Sequence, residues 1–137
     1  MFDQPIPSNN QTPPKKILLV EDDNSIRRFI EIILQKANYA VISAEDGLAG
    51  LSLALNEQFD AVVTDAMMPN LSGFDLCRML RQKSGYKNIP LIILSGFANE
   101  TEPDHQADAY LLKGNDLKHS LTAKLGELFD CRELMIN

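Results

Sequence analysis

Five polar side chains stand where short apolar runs end in this chain of 137 residues. Glu21 and Asp22 follow KILLV (16–20), and Asp65 follows AVVT (61–64). Ser95 closes PLIILS (90–95), and Lys113 follows AYLL (109–112). Brought together, Glu21, Asp22 and Asp65 would repel one another and raise each other's pKa unless a cation or a base joined them. A hard divalent ion answers that need. Mg²⁺ takes oxygen ligands, keeps several waters and leaves coordination positions for a phosphoryl oxygen. Calcium suits the set less well, because no DxDxDG-type loop wraps a single ion here. Lys113 adds an ammonium able to neutralise phosphoryl oxygens, and the Ser95 hydroxyl can donate to one of them. The Asp65 carboxylate can then act as a nucleophile and become an acyl phosphate. Phosphoryl transfer asks a protein mainly for positioning and charge neutralisation, and this set offers both.

That chemistry requires elements that deliver all five groups to one edge. The chain alternates apolar, β-branched runs, the four above plus AVISA (40–44), with longer segments, several of helical spacing. Ile26, Phe29, Ile30, Ile33, Leu34 and Ala37 make the clearest helical stripe. Asp23, Asn24 or Ser25 can cap its start. Further helices are expected over 47–58 and 74–83, and Leu117, Leu121, Leu125 and Leu128 form a last stripe. Apolar strands covered by helices on both faces make a parallel sheet with right-handed crossovers. Such open sheets bind ligands beyond the carboxyl ends of their strands, which is where the five groups fall. Glu45 and Asp46, after AVISA, are placed at the periphery. Met67, Met68 and Met79 read as packing residues. Cys77 reads as a buried helix residue and Cys131 as an exposed one.

At these residues the sequence resembles the response-regulator receiver domain of two-component signalling. The carrying segments are ILLVEDDNSIRR, AEDGLAGL, DAVVTDAMMPNLSGFDL, PLIILSG and AYLLKG, and the resemblance covers about residues 16–130. It implies a flavodoxin-like α/β fold, a doubly wound five-stranded parallel sheet in the order 2-1-3-4-5. It further implies Asp65 as phosphoacceptor and Glu21 with Asp22 as the acidic pair that binds Mg²⁺ alongside Asp65. The main-chain carbonyl of Met67 would be a further metal ligand. Ser95 resembles the switch hydroxyl, Lys113 the family's lysine, and Tyr110 the rotating aromatic. Two departures stand out. Family members usually carry Lys-Pro after the fifth strand, with a cis bond, where this chain has Lys113-Gly114. A trans bond is expected here, with Gly114 absorbing the changed backbone. Ser95 and Lys113 are also closer in sequence than is usual, by about four residues, roughly one helical turn. The shortfall, with Pro103 inside it, predicts a shortened or irregular fourth helix.

Composition narrows the function further. Thirteen basic against nineteen acidic residues give a net charge of −6, unhelpful for direct nucleic-acid binding. No apolar run approaches the length of a membrane span, and no secretory signal is visible, so no membrane contact and a cytoplasmic location are expected. Residues 1–14 read as a mobile leader, 15–130 as the receiver domain and 131–137 as a short tail, with no effector domain following. The expected function is a single-domain response regulator, a phosphoacceptor signalling domain rather than an enzyme. It would take a phosphoryl group from a histidine kinase or histidine phosphotransfer protein, promote only its own phosphorylation and dephosphorylation, and act on an unknown downstream protein or relay the group. The alternative is a receiver-like interaction module that works without phosphorylation. A haloacid-dehalogenase-type phosphatase lacks its DxD at Asp65, and a dinucleotide-binding protein lacks GxGxxG after the first strand.

Overall fold

Runs of leucine and β-branched residues too short for helices become the strands β1 (Lys16–Val20), β2 (Ala40–Ala44), β3 (Ala61–Asp65), β4 (Leu91–Ser95) and β5 (Ala109–Leu112). The computed structural model describes residues 12–97 and 106–136, the side chains of 134–136 excepted. All pairings are parallel, and the strand order is β2-β1-β3-β4-β5. Between the strands lie helices α1 (Asn24–Lys36), α2 (Gly47–Asn56) and α3 (Gly73–Arg81), followed by a 3₁₀ turn at Ser84–Tyr86. Helix α4 (Leu117–Ile136) comes after β5.

Alternation along each strand sorts the core into two layers. Leu18, Val20, Val62, Leu91 and Ile93 face α2 and α3, meeting Ala54, Phe74, Cys77 and Leu80. Ile17, Leu19, Ala61, Val63, Ile92 and Leu94 face α1 and α4, meeting Ile30, Leu34, Leu121, Leu125 and Phe129. Each fully buried Leu, Ile or Phe contributes about 1.5–3 kcal/mol, so the two layers hold the strand ends in register. Asp23 caps α1 by accepting the Ile26 N–H (2.9 Å), and Asp46 caps α2 by accepting the Ala49 N–H (2.8 Å). Asp46, expected at the periphery of the site, is thus the capping residue of α2.

Several expectations change. Phe29 is exposed, because the buried strip of α1 is only Ile30, Ile33 and Leu34, with Ile26 half-buried beside them. Met67 and Met79 are also exposed; of the three methionines only Met68 packs on the core. Residues 131–136, set apart as a tail, continue α4, whose buried stripe extends through Phe129. No peptide bond among the described residues is cis, so Lys113-Gly114 is trans. Gly114 has no positive φ and open space around it, so the turn makes no use of a glycine's freedom. The shortened fourth helix, expected between β4 and β5, and most of the leader fall on residues 98–105 and 1–11, outside the described residues.

Candidate functional site

The carboxyl ends of β1, β3, β4 and β5 meet on one edge. Glu21 directly follows β1 and continues its pairing through an N–H to the Ala44 carbonyl (3.1 Å). Asp65 ends β3, and the next N–H, of Ala66, reaches the Leu94 carbonyl (2.8 Å). Lys113 follows β5 and donates its N–H to the Ser95 carbonyl (2.7 Å), so at this level β1 is tied to β2, and β3 and β5 are tied to β4. Glu21, Asp22 and Asp65 each offer a carboxylate oxygen, and these oxygens all lie within 4.8 Å of one another. Glu21 and Asp65 are buried, while Asp22 is exposed. The Lys113 ammonium sits 2.9 Å from Glu21 Oε1 and 2.9 Å from Asp65 Oδ1.

Burial pushes the carboxyl groups of Asp65 and Glu21 above the usual carboxylate range, although the bonds and charge of Lys113 pull both back down. Burial works against the Lys113 ammonium too, but its bonds to Glu21 and Asp65 and their charges outweigh it and hold this lysine above its ordinary value. The second oxygen of Glu21, Oε2, accepts the Asp23 N–H (3.1 Å). Its first, Oε1, is buried and faces the Lys113 ammonium, with no further hydrogen-bond donor among the described residues. Three carboxylates against one ammonium leave a local charge of −2 (−3 + 1) on oxygen donors only. That set, with an incompletely satisfied buried oxygen, fits a hard divalent ion such as Mg²⁺.

Ser95 is fully buried, and its hydroxyl is turned to the following loop. It donates to the Phe97 carbonyl (2.8 Å) and accepts the Phe97 N–H (3.0 Å). Tyr110 is half-buried, lies near-parallel to Phe74 at 6.3 Å between ring centroids, and donates its hydroxyl to the same Phe97 carbonyl (3.2 Å). Both candidate switch residues therefore share one acceptor. The Met67 side chain points to solvent in the loop between β3 and α3, where Asn70 takes a left-handed conformation (φ 74°) that asparagine tolerates.

Three supporting residues escape a reading of the sequence. Arg27 donates to the Glu21 carbonyl (2.9 Å), fixing the backbone that carries the acidic pair. The Thr64 hydroxyl donates to the Asp65 carbonyl (3.0 Å). Gly73 lies so close to β3 that a Cβ there would stand 2.0 Å from the Asp65 carbonyl oxygen, so only glycine fits at the start of α3. Its place in the SGF sequence was the available signal.

The family model for the response regulator receiver domain matches residues 17–123, which span every group in this cluster. The chain belongs to that family. Response regulator ArlR of Staphylococcus epidermidis is 38% identical over 109 residues, 77% of this chain and 48% of the relative. This receiver thus spans about half the length of the curated relatives it matches. Among solved structures, chemotaxis protein CheY4 of Vibrio cholerae superposes with a TM-score of 0.75 at 30% identity, over 84% of this chain and 98% of the other. Response regulator TrrA of Thermotoga maritima, solved in complex with Mg²⁺–BeF, gives 0.77 at 28% identity, over 83% of this receiver and 98% of that chain. The receiver is a signalling domain of two-component systems. Among its described residues no helix is long and apolar enough to cross a membrane.

Proposed function

We propose that Asp65 accepts the phosphoryl group in this receiver, and that Glu21, Asp22, Asp65 and the Met67 main-chain carbonyl form its Mg²⁺ site. The observation that carries the reading is the cluster itself: three carboxylates within 4.8 Å of one another, two of them contacted by a single ammonium. The Mg²⁺ complex of TrrA supports the metal assignment. In the transfer, an Asp65 carboxylate oxygen bonds to phosphorus while the nitrogen–phosphorus bond of a donor phosphohistidine breaks, and the imidazole leaves with the electron pair. Lys113 neutralises the phosphoryl oxygens as they arrive beside Asp65. A bound divalent ion supplies further charge neutralisation and fixed coordination positions there.

The donor is a histidine kinase or a histidine phosphotransfer protein. Phosphorylation draws the Ser95 hydroxyl away from Phe97 toward a phosphoryl oxygen, which frees an acceptor also used by Tyr110 and biases the receiver between two conformations. The outcome is a changed protein–protein interaction or onward relay of the phosphoryl group. Because the relatives are about twice as long as the matched stretch, the proposal is restricted to this switch. Incubation with acetyl phosphate and Mg²⁺, followed by intact-mass measurement, tests it. The wild type should gain one phosphoryl mass, and Asp65→Asn should fold but gain none. A gain retained by Asp65→Asn would remove the assignment; no gain by the wild type would favour an interaction module that works without phosphorylation.

A further inference from the structure

The opposite pole of the sheet carries a second concavity, far from the strand ends that hold the acidic cluster. It lies between the loop entering β4, the residue before β5 and the late turns of α4. Its volume is about 440 Å³, within the roughly 300–1,000 Å³ typical of small-molecule sites. Pro90 and Leu128 give it apolar wall, and Lys87, Asn88 and Arg132 surround them. The single acid in the lining, Asp108, is already committed. Its Oδ2 accepts Arg81 Nη2 (2.7 Å) and the Leu91 N–H (2.8 Å). Arg81 is itself locked by donation to the carbonyls of Tyr86 (2.9 Å), Ile89 (2.8 Å) and Gln106 (3.1 Å). The wall is therefore pre-formed, and its acid is electrically spent.

Lys87 and Arg132 are in a different position. Among the described residues no carboxylate comes within ion-pair distance of either. In a chain of net charge −6 this leaves two cations beside apolar surface with no ion pair among the described residues. The groove beside α2, by contrast, is lined by Glu45 and Asp46 and offers no such surplus. We propose that the cleft binds a small organic anion, an acid with a carboxylate, sulfonate or phosphate head and an apolar body. Arg132 and Lys87 hold the head, the guanidinium as a planar fork and the ammonium as a point charge. Pro90 and Leu128 contact the body, and the Asn88 amide supplies a neutral donor at the rim.

Cys131 borders the same cleft and is exposed, so its thiol reports on occupancy. The probe is 8-anilinonaphthalene-1-sulfonate, titrated into the intact chain by fluorescence. One equivalent should bind, more weakly as salt is raised, and saturation should slow alkylation of Cys131 by iodoacetamide. The double variant Lys87→Gln/Arg132→Gln, with its fold checked by circular dichroism, should bind about tenfold or more weakly, as expected for losing hydrogen bonds to a charged group. Leu55→Ser, which reduces the exposed apolar surface of α2, should bind as the wild type does. Absent binding, undiminished binding by the double variant, or binding lost in Leu55→Ser would each overturn the assignment.

Discussion

Lys113 sets the electrostatics of the acidic edge, because among the described residues it is the one cation in contact with two buried carboxylates. Removing one member of a buried ion cluster leaves its partners uncompensated, which costs more than the cluster contributes when complete. Lys113→Met should accordingly lower stability in metal-free buffer by about 3 kcal/mol, and added Mg²⁺ should restore part of it. Urea denaturation with and without the metal measures both effects; an unchanged midpoint without metal would show that Glu21 and Asp65 do not depend on the lysine. The two cysteines give a cleaner contrast. Cys77 is buried on α3, and desolvation pushes its thiol up to about 12, while Cys131 is exposed on α4. A thiol reagent at neutral pH should therefore modify one cysteine in the native chain and the second only after unfolding, since the thiolate is the reactive form. Rapid native modification of both would contradict the packing around α3. The contrast also shows what a sequence discloses at this scale. Asp65, Ser95 and Lys113 are legible because each directly follows or closes an apolar run. Arg27 and Thr64 are not, because each acts on a backbone carbonyl, and no residue pattern advertises that.

Elements are joined here by a few side-chain bonds whose strength depends on charge. Ser43 on edge strand β2 donates to Glu31 Oε2 on α1 (2.6 Å). That bond, assisted by Arg28, holds the Glu31 carboxyl below its ordinary range. A carboxyl with a lowered folded pKa adds stability above its unfolded value near 4.5, and the gain disappears as pH falls through the folded value. Ser43→Ala should thus cost about 1 kcal/mol at neutral pH, and the difference from wild type should shrink in strong acid. Thermal melts across pH would check it; a difference independent of pH would mean that the serine acts by packing alone. The helices themselves were legible in their periodicity and caps, less so in which residues they bury. The α1 stripe includes Phe29, yet the sheet covers a narrower strip and leaves that ring in solvent. Leu128 closes the leucine pattern, but Phe129 carries the buried face onward, and α4 continues to Ile136.

Across the whole molecule, Arg81 binds α3, the turn before β4 and the start of β5 into one unit. It reaches the carbonyls of Tyr86, Ile89 and Gln106 and the carboxylate of Asp108, with its own side chain 12% exposed. Arg81→Ala should cost roughly 2–3 kcal/mol, mostly from acceptors left unpaired. It should also speed amide exchange at residues 106–112 more than in β1. Uniform acceleration through the sheet would show instead that these segments open only with the global fold. The strands were legible as apolar runs and their order from the receiver resemblance, whereas this clamp was not, since it joins positions up to 27 apart in sequence. The shared acceptor at Phe97 has a thermodynamic consequence. Its carbonyl takes the hydroxyls of both Ser95 and Tyr110, while its ring stands in solvent, 70% exposed. If Asp65 accepts a phosphoryl group and Ser95 turns toward it as proposed, any partner that grips this ring only when those two bonds are broken is linked to the state of Asp65. By reciprocity, the factor by which phosphorylation tightens that partner equals the factor by which the partner raises the equilibrium constant for phosphorylation. The receiver would then be read and written through the same carbonyl.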